Sequence, residues 1–503
     1  MLRSAAIIAV AALAATACSS PAYTEAHPTI DPTRIGGHVE RIEQAEASGV
    51  GSGAEGERLA IDYLSEQFAG LGLRVETQDV PIVKIRPHTS VLTVTGEKGG
   101  TRELTWGRDF IAWTRRDEPR TSVSGEIVFV GFGISAERHG WEDYKDVDVR
   151  GKIVVMLSGD PRSGQRSRLG PLGRDVYGRR HYKFHEAARR GAMGGLLIHL
   201  DDRSQPWDEL VRSASEVQDL AVARTATPPM QVEGWLSRPA VTALVATAGH
   251  EFQDLIDLAD QPNFKPISLP VKFSLEIQSE TTAVTARNLV ATLDPQNDED
   301  ADAKPYVLIS SHWNDLPEAG ATLGQLTRQS PRNEPPGAAV VLETARALAQ
   351  ARDRRPFVFL VVTAESDGMF GLEYYLENPL HPLPRTRAAI HVAGFSTNAA
   401  DREVRIVGTG YEALKGMLRE AAADEFRGST NDTDPQRLEY YRSASAEYTT
   451  HGIPSLVLTS HNNVHPGEPR DMSVAALDAR MLYRLAMNIS LAGYWPQSKP
   501  VGL

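Results

Sequence analysis

Two rhythms of apolar residues run along the chain. In EGERLAIDYLSEQFAGLGL, residues Ala60, Leu64, Phe68 and Leu71 recur at helical spacing, and Gly70 and Gly72 suit a helix end. RVETQDVPIV follows as a strand. From about residue 120 the texture changes. GEIVFVGFGI, GKIVVMLSGD and GGLLIHL are short β runs separated by glycines and charged loops, and KFHEAARRGAMG between them reads as a helix stopped by glycine. From about residue 285 strands and helices alternate again. ARNLVATL, KPYVLISS, FVFLVV, RAAIHVAG and PSLVLTS read as strands. PPGAAVVLETARALAQAR is a helix with Pro and Gly at its start, and SVAALDARMLYRLAMNISLAGY is a closing helix. The order predicts an α/β protein: a mixed sheet flanked by helices, with a β-rich module inserted into it.

Length and composition narrow the class. The chain has 503 residues, enough for two or three domains, with 41% hydrophobic and 23% charged residues. A net charge of −12 argues against a nucleic-acid partner, which needs a basic face. The first residues, MLRSAAIIAVAALAATACSS, have the form of a secretory signal, too short and wrongly flanked for a membrane-spanning helix. AATAC resembles a bacterial lipoprotein box, which makes Cys18 a lipidation site, although Ala15-Thr16-Ala17 also serves as an ordinary A-x-A cleavage site. Cys18 is the sole cysteine, which favours the lipoprotein reading and leaves no thiolate metal site or disulfide in the body. The expectation is an exported protein of the bacterial cell envelope, touching the membrane only through a lipid at Cys18.

Candidate chemistry clusters after three of the core strands. SHWND (311–315) follows YVLIS, ESD (365–367) follows FVFLVV, and HNNVHPGEP (461–469) follows PSLVLTS. Open α/β sheets place ligands at the carboxyl ends of their strands. If these strands are neighbours, His312, Glu365 and His465 converge, and two histidines with a carboxylate make a zinc site. Glu365 also suits a general base beside a metal. Polar strand-end loops with solvent-facing histidines are the alternative. GFGISA matches G-x-G-x-x-A after a strand, but ERHGWEDYKD opens no helix behind it, so a strand-end turn is preferred to a dinucleotide site.

These segments resemble, in order and nearly end to end, the co-catalytic di-zinc aminopeptidase family related to glutamate carboxypeptidase, in the form that carries a protease-associated domain. GSGAEGERLAIDYLSEQFAGLGL is similar to the family's N-terminal segment. IVFVGFGISAERHGWEDYKDVDVRGKIVVMLSGDP and YKFHEAARRGAMGGLLIH resemble the inserted domain. TARNLVATL, SHWND, PPGAAVVLETARALA, FVFLVVTAES-GMFGLEYYLENP and HGIPSLVLT follow in family order. The resemblance implies a signal over 1–17, a peptidase-like domain in two parts (18–115 and 276–495), and a protease-associated insert over 116–275.

The resemblance also implies where five metal ligands and a base belong. His312 matches the His of A-H-x-D, with Asn314 in place of the supporting Asp. Counting back four from Gly337 puts Asn333 at the bridging Asp. Glu365 matches the base of a Glu-Glu pair, and Ser366 replaces the ligand beside it. Against the pattern L-D-M-x-G, VAGF is read with Ala393 at the fourth ligand. His465 matches the last ligand, after G-I-P, and the family's S-D-H reads Ser443-Ala444-Ser445. Asn, Ser and Ala at three ligand positions remove the carboxylates that offset two zinc ions, so the residual set is His312 and His465, two where a catalytic zinc keeps three protein ligands. His391, Asp315, Glu334 and Asp367 stand near the lost positions and are the candidates for a rebuilt single-zinc site. The expectation is a member with its di-zinc centre largely lost, holding one zinc or none and binding peptides or proteins without efficient hydrolysis. The alternative is an active zinc exopeptidase with a reduced or rebuilt site.

Overall fold

The computed structural model describes residues 28–493 apart from 50, 97–98, 164–165, 170–176, 179, 201–205, 215–216, 221–229, 296–303, 314–336, 352–354, 366–368, 399–402, 408–411, 432–443 and 461–469. Helices α1 (Pro32–Glu46) and α2 (Glu55–Gly70) open the fold, and strand β1 (Arg74–Gly96) follows. Asp31 caps α1 by accepting from Thr33 N–H, and Pro32 sits where a missing N–H costs nothing. As the spacing predicts, Ala60, Leu64 and Phe68 of α2 are buried, and Leu71 packs partly buried behind them.

A second group of elements comprises β2 (Arg120–Phe129), β3 (Ile153–Leu157), α3 (Arg180–Arg189), β4 (Gly194–Ile198) and β5 (Val232–Leu236). Strands β2, β3, β4 and β5 are parallel neighbours in that order. Gly131 and Gly133 of GFGISA take left-handed backbone in the turn after β2, as a strand-end turn requires. These strands build their own cores from residues between Leu92 and Ile277.

Strand β6 (Ile267–Leu293) ties the two groups together. It pairs antiparallel with β1 from Arg74↔Thr292 to Gly96↔Val271, with β2 at its start and with the later strand 357–362 at its end. The sequence reading ends the first strand near Val83 and places a domain boundary at 275/276. In the structure β1 runs on to Gly96, and 275/276 lies inside β6. Burial alternates along β6 from Leu269 to Ser279, and the ladder with β1 carries the strand through the less buried stretch 280–285.

The remaining elements are β7 (Tyr306–His312), α4 (Gly337–Gln350), β8 (Phe357–Val362), α5 (Phe370–Glu377), β9 (Thr386–Val392), β10 (Glu403–Val407), α6 (Glu412–Asp424), β11 (Gly428–Asn431), α7 (Ala444–Thr450), β12 (Ser455–Ser460) and α8 (Met472–Leu491). One 15-stranded sheet contains the strands, in the order β11-β10-β12-β9-β7-β8-β6-β2-β3-β4-β5 along its main path, with the short strand Phe110–Trp113 beyond β5. Strands β8, β7, β9 and β12 are parallel, and β7 and β8 are buried along their whole length. Parallel strands covered by helices on both faces read as unbroken apolar runs for this reason.

Alternation sorts side chains to the two faces. Val307, Ile309, Phe357, Phe359, Val361, Ala388 and Ile390 join the large core with α1, α2, α4 and α8. Tyr306, Leu308, Val358, Leu360, Val362 and Ala389 face the smaller core under α5 and α7. The same alternation sends Ser310, His312 and His391 to the α5/α7 face. Gly337 lets α4 start hard against the sheet: a Cβ there would lie 2.4 Å from Val392 O and 2.6 Å from Ser311 Oγ.

Candidate metal centre

The chain runs from β7 through α4 to β8 on one side, then returns through α5 to β9 on the other side of β7. The carboxyl end of β7 is therefore a topological switch point, where open α/β sheets hold ligands. His312 ends β7, His391 is next to last in β9, and Glu365 lies three residues past β8.

These three side chains meet. His391 Nε2 is 3.1 Å from Glu365 Oε1, and His312 Nδ1 is 3.3 Å from Glu365 Oε2. One donor atom from each lies within 4.8 Å of the other two. All three residues are buried, His391 completely. Burial works against ionisation of Glu365, but the His391 and His312 imidazoles outweigh it and hold the carboxyl far below its ordinary range.

The turn that presents Glu365 is held from below. Asn288 Oδ1 accepts from Thr363 N–H at 3.1 Å, and Asn288 Nδ2 donates to Gly371 O and Gln78 Oε1. Thr363 Oγ1 donates to Glu57 Oε2 at 2.8 Å, and Glu57 also accepts from the backbone N–H groups of Gly53 and Arg287. Burial raises the Glu57 carboxyl in spite of these bonds. Between Thr363 and Glu365, Ala364 takes a left-handed φ of 52°. That conformation costs a non-glycine residue about 1–2 kcal/mol and is typical of functional turns.

The donor set fits one zinc. Two imidazoles and a carboxylate supply the three protein ligands of a catalytic site. His312 Nδ1 and Glu365 Oε2 are buried and face one another without hydrogen-bond alignment, with no other partner among the described residues. A shared cation would satisfy both atoms. Bonds of about 2.0–2.1 Å in a tetrahedron set neighbouring ligands about 3.3 Å apart. Both contacts to Glu365 are already near that value.

The structure brings together His312, Glu365 and His391, the last of which the sequence offers only as a rescue candidate. Ala393 is read from the sequence at the fourth, substituted ligand position. It lies just past β9, carries no donor atom and packs against the α5/α7 core. The Asp of L-D-M-x-G stands three residues before its Gly, and three before Gly394 stands His391. That count was the available signal. Ala444 and Ser445 open α7, and Ser445 Oγ lies 3.2 Å from Ser455 Oγ, away from the centre. His465, Asn333, Ser366, Asn314, Asp315, Glu334, Asp367, Ser443 and Cys18 lie outside the described residues.

His312, Glu365 and His391 form a buried cluster, able to hold a metal ion, at a switch point of the helix-flanked mixed sheet. Residues 288–486 match the model of Peptidase family M28. That match spans His312, Glu365 and His391. Among solved structures, an aminopeptidase from Aneurinibacillus sp. strain AM-1 aligns over 93% of this chain and 96% of that chain, with a TM-score of 0.54 at 16% identity. That likeness establishes the shared fold. A zinc aminopeptidase from Bacillus subtilis aligns over 91% of this chain and 94% of its own, with a TM-score of 0.45 at 14% identity. A Peptidase M28 precursor from Shewanella amazonensis SB2B covers 93% and 97%, with a TM-score of 0.42 at 15% identity. Comparison with curated proteins finds no significant match.

Proposed function

We propose that this chain is a single-zinc exopeptidase of the aminopeptidase type, with a rebuilt metal site in place of a di-zinc centre. The observation that carries the reading is the convergence of His312, Glu365 and His391 on one buried point. These residues would hold the ion, which when bound supplies an acidified water and polarises a carbonyl oxygen. Glu365 has two roles to choose between, base or ligand. Its carboxylate already contacts both imidazoles, so with zinc bound it would serve as a ligand and would not be free to take a proton from water. General-base catalysis contributes typically 10²–10⁴-fold, so turnover should fall short of two-zinc relatives by about that factor.

A second reading has a specific observation in its favour. The same engagement of Glu365 by His312 and His391 leaves the site without its base, which suits a protein that binds peptides without cutting them. Export and lipid anchoring at Cys18 belong to both readings, as does a protease-associated insert beside the peptidase-like domain.

The deciding experiment uses residues 19–503 without a metal-affinity tag. Zinc is added, dialysed and counted per chain, and aminoacyl p-nitroanilide hydrolysis is followed. One zinc per chain with turnover lost in His391→Ala supports the exopeptidase. One zinc with no turnover supports the silent binder. No zinc overturns the single-zinc centre.

A further inference from the structure

The geometry points to Ser310 and Tyr448 as positioning residues for His391. The inference rests on the reading of His391 as a metal ligand. Ser310 of β7 and His391 of β9 are in-register partners on adjacent parallel strands, so their side chains share a face. Ser310 Oγ lies 3.0 Å from His391 Nδ1, and Tyr448 of α7 donates its hydroxyl to Ser310 Oγ at 2.7 Å. All three residues are fully buried. The result is a chain of contacts from α7 through β7 to His391 of β9, whose Nε2 meets Glu365 Oε1.

An imidazole presents one nitrogen to a metal only if the other nitrogen fixes the tautomer and ring plane. A carboxylate in that supporting place would lock one tautomer. A serine hydroxyl both donates and accepts. Tyr448 gives its one hydroxyl proton to Ser310, which fixes the serine rotamer and leaves the Ser310 proton for His391 Nδ1. His391 then carries its proton on Nε2, facing Glu365. For Nε2 to ligate, the proton must sit on Nδ1 and the Ser310 oxygen must accept it through its second lone pair. In that state Ser310 Oγ accepts from both Tyr448 and His391, and its own proton turns away from the imidazole. His312 Nδ1 has no hydrogen-bond partner of this kind among the described residues.

The test compares the wild-type chain with Ser310→Ala and Tyr448→Phe. Zinc affinity is measured by competition with a chromophoric chelator, and histidine tautomers in the metal-free protein by ¹⁵N NMR. Ser310→Ala should weaken zinc about 10–100-fold, and Tyr448→Phe by a smaller factor, as for other partners of metal-bound histidines. The metal-free variants should melt as cooperatively as wild type, and the single His391 protonation pattern should give way to a mixture in Ser310→Ala. Unchanged zinc affinity with an unchanged ¹⁵N pattern would overturn the inference and leave Tyr448 a core residue. If wild type takes up no zinc, the single-zinc reading fails. The ¹⁵N pattern then decides the positioning role alone: a fixed tautomer lost in Ser310→Ala upholds it, and an unaltered pattern sinks it. Should Ser310→Ala fail to fold, Tyr448→Phe carries the same comparison.

Discussion

His391 Nε2 and Glu365 Oε1 stand 3.1 Å apart, on a residue that two sequence positions separate from the Ala expected to mark a lost ligand. This contact changes what the centre can do. With His312 alone, Glu365 would have one imidazole neighbour. With both histidines it becomes the middle of a three-donor set. Equilibrium dialysis should therefore find one zinc per chain, and His391→Ala should weaken it at least about 100-fold, because two protein ligands fall short of the three a zinc usually keeps.

Substitutions at 391 and 393 separate the two placements of the fourth ligand. His391→Asp keeps a donor at the end of β9 and should retain zinc within about tenfold, the lower end of what support for a ligand is worth. Ala393→Asp should add no affinity. A second zinc gained by Ala393→Asp would restore the original placement and dismiss His391 as a ligand. Isothermal titration with zinc reads both variants directly.

The turn carrying Glu365 depends on Asn288 and Gly371. Asn288 is fully buried, and its amide bonds Thr363, Gly371 and Gln78. Asn288→Ala removes the partner of Thr363 N–H, Gly371 O and Gln78 Oε1 and should cost about 2–4 kcal/mol, since each buried unsatisfied group costs about 1–3. A Cβ at Gly371 would fall 2.4 Å from Thr363 O and 2.5 Å from Asn288 Oδ1. Gly371→Ala should then cost about 1–3 kcal/mol by overpacking and weaken zinc as well. Urea unfolding with and without zinc checks both. A Gly371→Ala protein with wild-type stability would show that the turn is not constrained from below.

Part of this site is legible in the sequence. The runs FVFLVV and YVLIS are apolar on both faces, which marks them as interior parallel strands, and the polar residues just past them had to lie at one sheet edge. That placed His312 and Glu365. What periodicity could not give was the neighbour of β7, because strand order is a tertiary property. Without knowing that β9 lies beside β7, in register at Ser310↔His391, nothing joined His391 to Glu365. Ser310 and Tyr448 were invisible for the same reason: each reads as an ordinary buried residue of its own element. The long strand β6 was hidden differently. Its middle alternates with charged residues such as Glu276 and Glu280, and those face solvent without breaking the ladder.

A second buried carboxylate sets the acid response of the fold. Glu343 on α4 is 1% exposed and accepts from Arg346 at 2.8 Å and Arg34 at 3.2 Å, with His38 Nε2 at 3.6 Å. Arg34 and His38 belong to α1, so this group fastens the first helix to the core. Burial raises the carboxyl, but the bonds from His38, Arg346 and Arg34 prevail and bring it down to about 2. A folded-state value below the unfolded one adds stability above the unfolded pKa near 4.3, and that stability is lost as pH falls toward 2. The shift corresponds to at most about 3 kcal/mol. Thermal melts from pH 7 to pH 2.5 should therefore show a fall below about pH 4.5 that is smaller in Glu343→Gln. Glu343→Gln should also be less stable than wild type at pH 7, with the two curves approaching one another in acid. Parallel curves over the whole range would mean that Glu343 carries no net charge-dependent stability and that α1 is held by its apolar face alone.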